Sequence, residues 1–172
     1  MEKFDSIIPL NNYGKIILTG FPGLSAIKKF SQDKFIDTFA TLKEMKCCIV
    51  ITLVEEIEFA NLCSKNVFAK KISEMGFVWY HLSIQDYKVP NKFFLIKWQR
   101  LSPQLQLSLA QGNTICIHCM GGLGRSGTIA SMLLIDLGEE NAGAIRRVRN
   151  SRKGAIENTF QENFVKNYKT VI

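Results

Sequence analysis

The sequence offers little to hold a metal. It contains two histidines, His81 and His118, and five cysteines, Cys47, Cys48, Cys63, Cys116 and Cys119. Cys116 and Cys119 read CxxC, but no second pair completes a zinc site, so no metal and no cofactor is expected. An odd set of thiols behind a start without a secretion signal points to reduced cysteines, and Cys47, Cys48 and Cys63 read as small buried apolar residues. Long apolar runs are missing too, which excludes a membrane-spanning helix. The first ten residues carry Glu2 and Asp5 and lack the basic-then-apolar layout of a secretion signal, so a cytoplasmic site of action is expected. Repeats, low-complexity tracts and linkers are absent, so one domain over residues 1–172, acting as a monomer, is expected. Negative charge is in short supply: Lys and Arg total 22 against 15 for Asp and Glu, a net +7. That surplus favours anionic partners without choosing among phosphoproteins, nucleic acid, lipid and metabolites.

The apolar pattern alternates strand with helix. Strands are expected at 15–19, 47–54, 77–82 and 114–118, the second a continuous β-branched run covered on both faces. Helices are expected at about 33–45, within 55–75, at 92–100, after Ser102-Pro103, and at about 128–137, 142–149 and 158–168. Gly20-Phe21-Pro22-Gly23 and Gln111-Gly112-Asn113 punctuate the pattern as turns. Strands alternating with helices give an α/β fold, a largely parallel central sheet flanked by helices.

One stretch carries chemistry. Residues 115–128 run from an apolar strand through His118-Cys119, the loop Met120-Gly121-Gly122-Leu123-Gly124, then Arg125-Ser126-Gly127, into a helix. A phosphate monoester hydrolase without a metal needs an ionised nucleophile, a cradle for three oxygens and a matching cation. Three glycines let the loop curl so that successive N–H groups point inward, and the helix start adds its dipole. That field favours the thiolate of Cys119 as nucleophile. Arg125 supplies a planar fork for two phosphoryl oxygens. The Ser126 hydroxyl is placed to ease departure of the sulfur from phosphorus.

The combination resembles the protein tyrosine phosphatase superfamily, whose loop reads His-Cys, five residues, Arg, then Ser or Thr. The resemblance spans about residues 18–164 and is strongest over 114–161. Within the superfamily, His-Cys-x-Gly-Gly-Leu-Gly-Arg-Ser is most like the kinase-associated branch of the dual-specificity phosphatases. The resemblance implies a dual-specificity phosphatase fold and a phosphocysteine intermediate. It also implies a phosphoprotein partner, with a kinase among the candidates and nucleic acid not. It assigns the general acid to Asp86, since Asp86 with Pro90 four residues on is similar to the acid loop of the smaller enzymes; the Trp-Pro-Asp of the larger ones is absent. His118 is expected to order the loop by hydrogen bonding. Arg152-Lys153-Gly154-Ala155-Ile156-Glu157, with Gln161 beyond, resembles the segment in which a glutamine positions the hydrolytic water. Glu157 stands where that glutamine falls, so Glu157 and Gln161 read either as water-positioning residues or as ordinary helix-start residues.

Phosphoinositide phosphatases of the superfamily commonly carry basic residues in this loop; residues 120–124 hold no lysine, so the resemblance implies a substrate with a single phosphate. The basic run Arg146, Arg147, Arg149, Arg152 and Lys153 reads equally as a steering patch or as a solvated helix face. A phosphoprotein-binding module without turnover, a sulfurtransferase and an arsenate reductase are the rival readings. Cys47, Cys48 and Cys116 are candidates to trap an oxidised Cys119 as a disulfide.

Overall fold

The computed structural model describes residues 4, 6–11 and 14–170. Five strands form one sheet in the order β1-β2-β5-β3-β4: Ile7–Pro9 (β1), Lys15–Thr19 (β2), Cys47–Thr52 (β3), Val78–His81 (β4) and Thr114–His118 (β5). β1 runs antiparallel to β2, and the other pairings are parallel. The expected α/β architecture is therefore the observed one. β1 is an addition: three residues carry too little alternation to read as a strand.

The period of two divides the core into two layers. Ile16, Leu18, Ile49, Ile51, Ile115 and Ile117 face one layer, and Ile17, Val50 and Cys116 face the other. The first layer is covered by Lys92–Ala110 (α4), Gly124–Asp136 (α5), Asn141–Ser151 (α6) and Thr159–Asn167 (α7). The second is covered by Gln32–Glu44 (α1), Glu56–Ala60 (α2) and Lys65–Glu74 (α3), where Phe35, Phe39, Phe59, Phe68 and Phe77 pack together.

Two helix boundaries differ from the sequence expectation. α4 does not restart at Ser102; it runs through Pro103 as one helix. The ring removes one helical hydrogen bond, a loss offset by a continuous buried stripe of Trp98, Leu101, Leu105 and Leu109. α5 begins at Gly124, not near Thr128, so Arg125 and Ser126 stand in its first turn.

β5 lies between β2 and β3, with all five of its residues buried. The parallel strands all end at the same edge of the sheet. There β2 leads to Gly20, β3 to Leu53-Val54-Glu55, β4 to the Asp86 loop and β5 to Cys119. This is the edge at which α/β sheets place ligands.

Candidate active site

Cys119 follows the last residue of the central strand, 3% exposed, at the floor of a cavity of about 390 Å³. Its sulfur accepts the Gly122 N–H at 3.2 Å and lies 3.6 Å from Ser126 Oγ. The loop owes its shape to what holds its carbonyls from outside. Met120 O accepts from Phe21 N–H at 3.0 Å, Gly121 O from Arg152 Nη2 at 3.2 Å, and Leu123 O from Ile156 N–H at 3.3 Å. A planar trans peptide turns the N–H after each carbonyl the opposite way, so the amides of Gly121, Gly122 and Gly124 turn away from these outer partners, and that of Gly122 lies on the Cys119 sulfur. Gly122 sits at φ +70°, and a Cβ there would meet the backbone of Thr19 and Gly20. These inward amides, with the start of the 13-residue α5, favour an anion at the cavity floor.

Arg125 is 2% exposed, and its guanidinium is anchored before any substrate arrives. Nη1 donates to Glu58 Oε2 at 2.6 Å and to Ile84 O at 3.1 Å, and Nη2 donates to Glu58 Oε1 at 2.8 Å. Burial by itself works against the guanidinium's charge. The Glu58 hydrogen bonds and the neighbouring Cys119, Glu58 and Asp86 outweigh it and hold Arg125 more firmly protonated than usual. For Glu58, burial pushes the carboxyl up, but the bonds from Arg125 and the Glu55 backbone leave it below its ordinary value. Glu58 is fixed in turn by the Glu55 N–H at 2.7 Å, a capping box at the start of α2. The bidentate anchor consumes one edge of the fork and orients the rest toward the cavity.

Asp86 Oδ1 lies 3.0 Å from Arg125 Nη2, and the side chain is 51% exposed. Asp86 therefore lines the cavity beside Cys119 and Arg125, paired with the cation that the sequence reading reserves for phosphate. His118 is fully buried, between Thr52 Oγ1 at 2.6 Å and Cys119 O at 3.4 Å. The Glu157 carboxylate lines the cavity wall and packs on the Cα of Gly124, where a Cβ would collide with it. Gln161 is fully buried and is not part of the cavity wall; its amide nitrogen donates to Lys88 O at 3.4 Å.

Glu58, Lys28 and Tyr87 also belong to the site, and their sequence context does not single them out. Lys28 and Tyr87 reach the cavity wall from the α1 approach and the Asp86 loop. Both have positive φ, at 56° and 58°, a conformation nothing in their residue type announces. Glu58 had one legible signal, the Glu55 and Glu58 spacing of a capping box after a strand. Cys116 belongs to the opposite core layer from Cys119, and its thiol is pushed well up by burial. Cys47 and Cys48 sit at the start of β3, the far edge of the sheet, so none of the three adjoins the Cys119 sulfur. A larger cavity, about 460 Å³, lies between Trp79, His81 and Phe93 and contains neither a cysteine nor an arginine. Among the described residues, no group of three or more His, Cys, Asp or Glu could hold a metal, and no helix is long and apolar enough to cross a membrane.

A thiol, a glycine loop and an anchored arginine at the carboxyl edge of a parallel sheet define a cysteine-dependent phosphoric monoester hydrolase. The family model described as a polymorphic toxin system DSP-PTPase phosphatase matches residues 25–139. The probable protein tyrosine phosphatase type IVA B of Dictyostelium discoideum is 32% identical over 138 residues, 80% of this chain and 78% of the relative. The protein tyrosine phosphatase PRL-1 of Trypanosoma cruzi is 31% identical over 108 residues, 62% of this chain and 60% of the relative. Among solved structures, a kinase associated phosphatase superposes with a TM-score of 0.73 at 23% identity, covering 88% of this chain and 83% of the other, a likeness of fold. The chain belongs to the DSP-PTPase phosphatases of the protein tyrosine phosphatase superfamily.

Proposed function

We propose that this phosphatase acts on phosphoproteins with dual specificity, through a phosphocysteine formed on Cys119. In the first step the Cys119 thiolate attacks phosphorus. An S–P bond forms, the P–O bond to the leaving group breaks, and Asp86 gives its proton to the departing oxygen. The amides of residues 120–124 and the Arg125 fork hold the three phosphoryl oxygens. In the second step water attacks phosphorus, Asp86 takes a proton from it, and the sulfur leaves as a thiolate steadied by the Ser126 hydroxyl. Glu157, on the cavity wall beside Gly124, is the group placed to orient that water. The observation that carries the reading is the Cys119 sulfur at the cavity floor, 3.2 Å from the Gly122 N–H.

The Asp86 to Arg125 ion pair has a consequence for binding. An incoming phosphate must replace the carboxylate at Nη2, and this frees Asp86 to take up a proton from solvent and turn toward the leaving oxygen. Dual specificity rests on the likeness of the Asp86 loop, with Pro90 four residues on and no Trp-Pro-Asp, to that of the smaller enzymes. A kinase stands among the candidate phosphoprotein substrates, and the protein is proposed to act as a cytoplasmic monomer. Lys28 on the cavity wall favours, as the second reading, a small molecule with a further anionic group, such as a phosphoinositide.

Kinetics with phosphotyrosine peptides, phosphothreonine peptides and a phosphoinositide separate these readings. Turnover of both peptides above the lipid is expected, and turnover of the lipid alone would replace the proposal by the second reading. Cys119→Ser should abolish turnover while vanadate still binds. Asp86→Ala should slow aryl phosphates with poor leaving groups by about 100-fold or more and good ones far less.

A further inference from the structure

Two side-chain amides from the start of α7, its N-cap Asn158 and Gln161 in its first turn, reach across to the loop that carries Asp86. Asn158 Nδ2 donates to Tyr87 O at 3.0 Å, and Gln161 Nε2 donates to Lys88 O at 3.4 Å. Neither amide has freedom to flip. Gln161 is fully buried and its Oε1 accepts the Glu157 N–H at 3.0 Å, which leaves the nitrogen for Lys88. Asn158 Oδ1 accepts the Gln161 N–H at 2.9 Å as the N-cap of α7, which leaves its nitrogen for Tyr87. On the other side of Asp86, the Ile84 N–H donates to Leu53 O at 3.0 Å, tying the loop to the end of β3. The backbone is thus held on both sides of Asp86 while its carboxylate is half exposed.

We propose that Asn158 and Gln161 are positioning residues for the general acid. They keep the Asp86 loop pinned against the cavity, so the acid reaches the leaving group by turning its side chain off Arg125. The loop does not close as a lid. This rests on the reading of Asp86 as the acid.

Asn158→Ser is the discriminating variant, because serine retains the helix cap but is too short to reach Tyr87. It should slow phenyl phosphate by about 10-fold and p-nitrophenyl phosphate by at most about 2-fold in kcat/KM. The basic limb of the pH profile with phenyl phosphate should shift, and hydrogen exchange over residues 85–90 should rise. In an Asp86→Ala background the same change should have no further effect. Equal slowing of both substrates, no slowing, or unchanged exchange overturns the proposal. Asn158→Asp, which also keeps the cap acceptor and removes the donor, gives the same readout if the serine variant fails to fold. Failure of the acid assignment itself has a separate signature: Asp86→Ala would slow both substrates alike.

Discussion

At the residue scale, His118 shows how a side chain next to Cys119 serves structure. The Thr52 hydroxyl accepts from Trp79 Nε1 at 2.8 Å and lies 2.6 Å from His118 Nε2. The Cys119 carbonyl can only accept, so in the neutral ring the imidazole proton sits on Nδ1 facing it and Nε2 accepts from the Thr52 hydroxyl. The ring is neutral. Burial pushes its pKa down to about 3; the Cys119 carbonyl opposes this, and His81 and Arg125 add to the lowering. An unfolded histidine titrates near 6.5, so between those values the unfolded chain takes up a proton that the folded one refuses. The His118 contribution is complete above pH 6.5 and is lost as pH falls toward 3, by about 2 kcal/mol at pH 5. Denaturant unfolding at pH 7.5 and 5.0 should show that fall, and His118→Asn, though less stable overall, should flatten it. An equal fall in the variant would assign the pH dependence elsewhere.

At the scale of elements, the loop from Cys119 to Arg125 depends on one close approach. A Cβ on Gly122 would lie 2.4 Å from the Thr19 carbonyl carbon and 2.5 Å from the Gly20 nitrogen. Those are backbone atoms of the neighbouring strand end and cannot give way. Gly122→Ala should therefore push the loop off β2, take the Gly122 N–H away from the sulfur, and lower kcat/KM by about 100-fold or more. Gly121, with open space around its Cα, should lose less on the same change; equal losses would show that loop flexibility and not this approach matters. The loop was legible in the sequence because its chemistry is local: Cys119, the glycines, Arg125 and Ser126 act on one another within eight residues. The four parallel strands were legible for the same reason, since alternation and flanking turns are short-range signals. What the sequence hid is long-range. Glu58 meets Arg125 across 67 residues and Asn158 meets Tyr87 across 71, and only the strand order brings those pairs together. The start of α5 was misplaced because glycines inside a tight loop resemble a loop's end, whereas Gly124 is already helical.

At the scale of the whole molecule, α5 links the site to a polar hub at the other end of the same helix. Asp136, its last residue, accepts from Trp98 Nε1 at 2.9 Å and Ser102 Oγ at 2.5 Å on α4, and from the Tyr168 hydroxyl at 3.0 Å beyond α7. Burial pushes the Tyr168 phenol up, and the Asp136 charge beside it adds to the effect, so this hydroxyl remains a donor. One carboxylate thus joins three elements of the first core layer. Asp136→Ala strands three donors in a half-buried setting and should destabilise the fold by about 3 kcal/mol. The hub lies about 18 Å from Gly124 along the helix axis, so the loop geometry is not directly touched. Below its lowered melting temperature the variant should keep kcat/KM within about 2-fold, since additivity holds for sites this far apart. Calorimetry paired with kinetics at 15 °C checks both halves. A large activity loss in a folded variant would mean that α5 transmits strain from hub to loop, and that the Cys119 loop is tuned by the far end of its own helix.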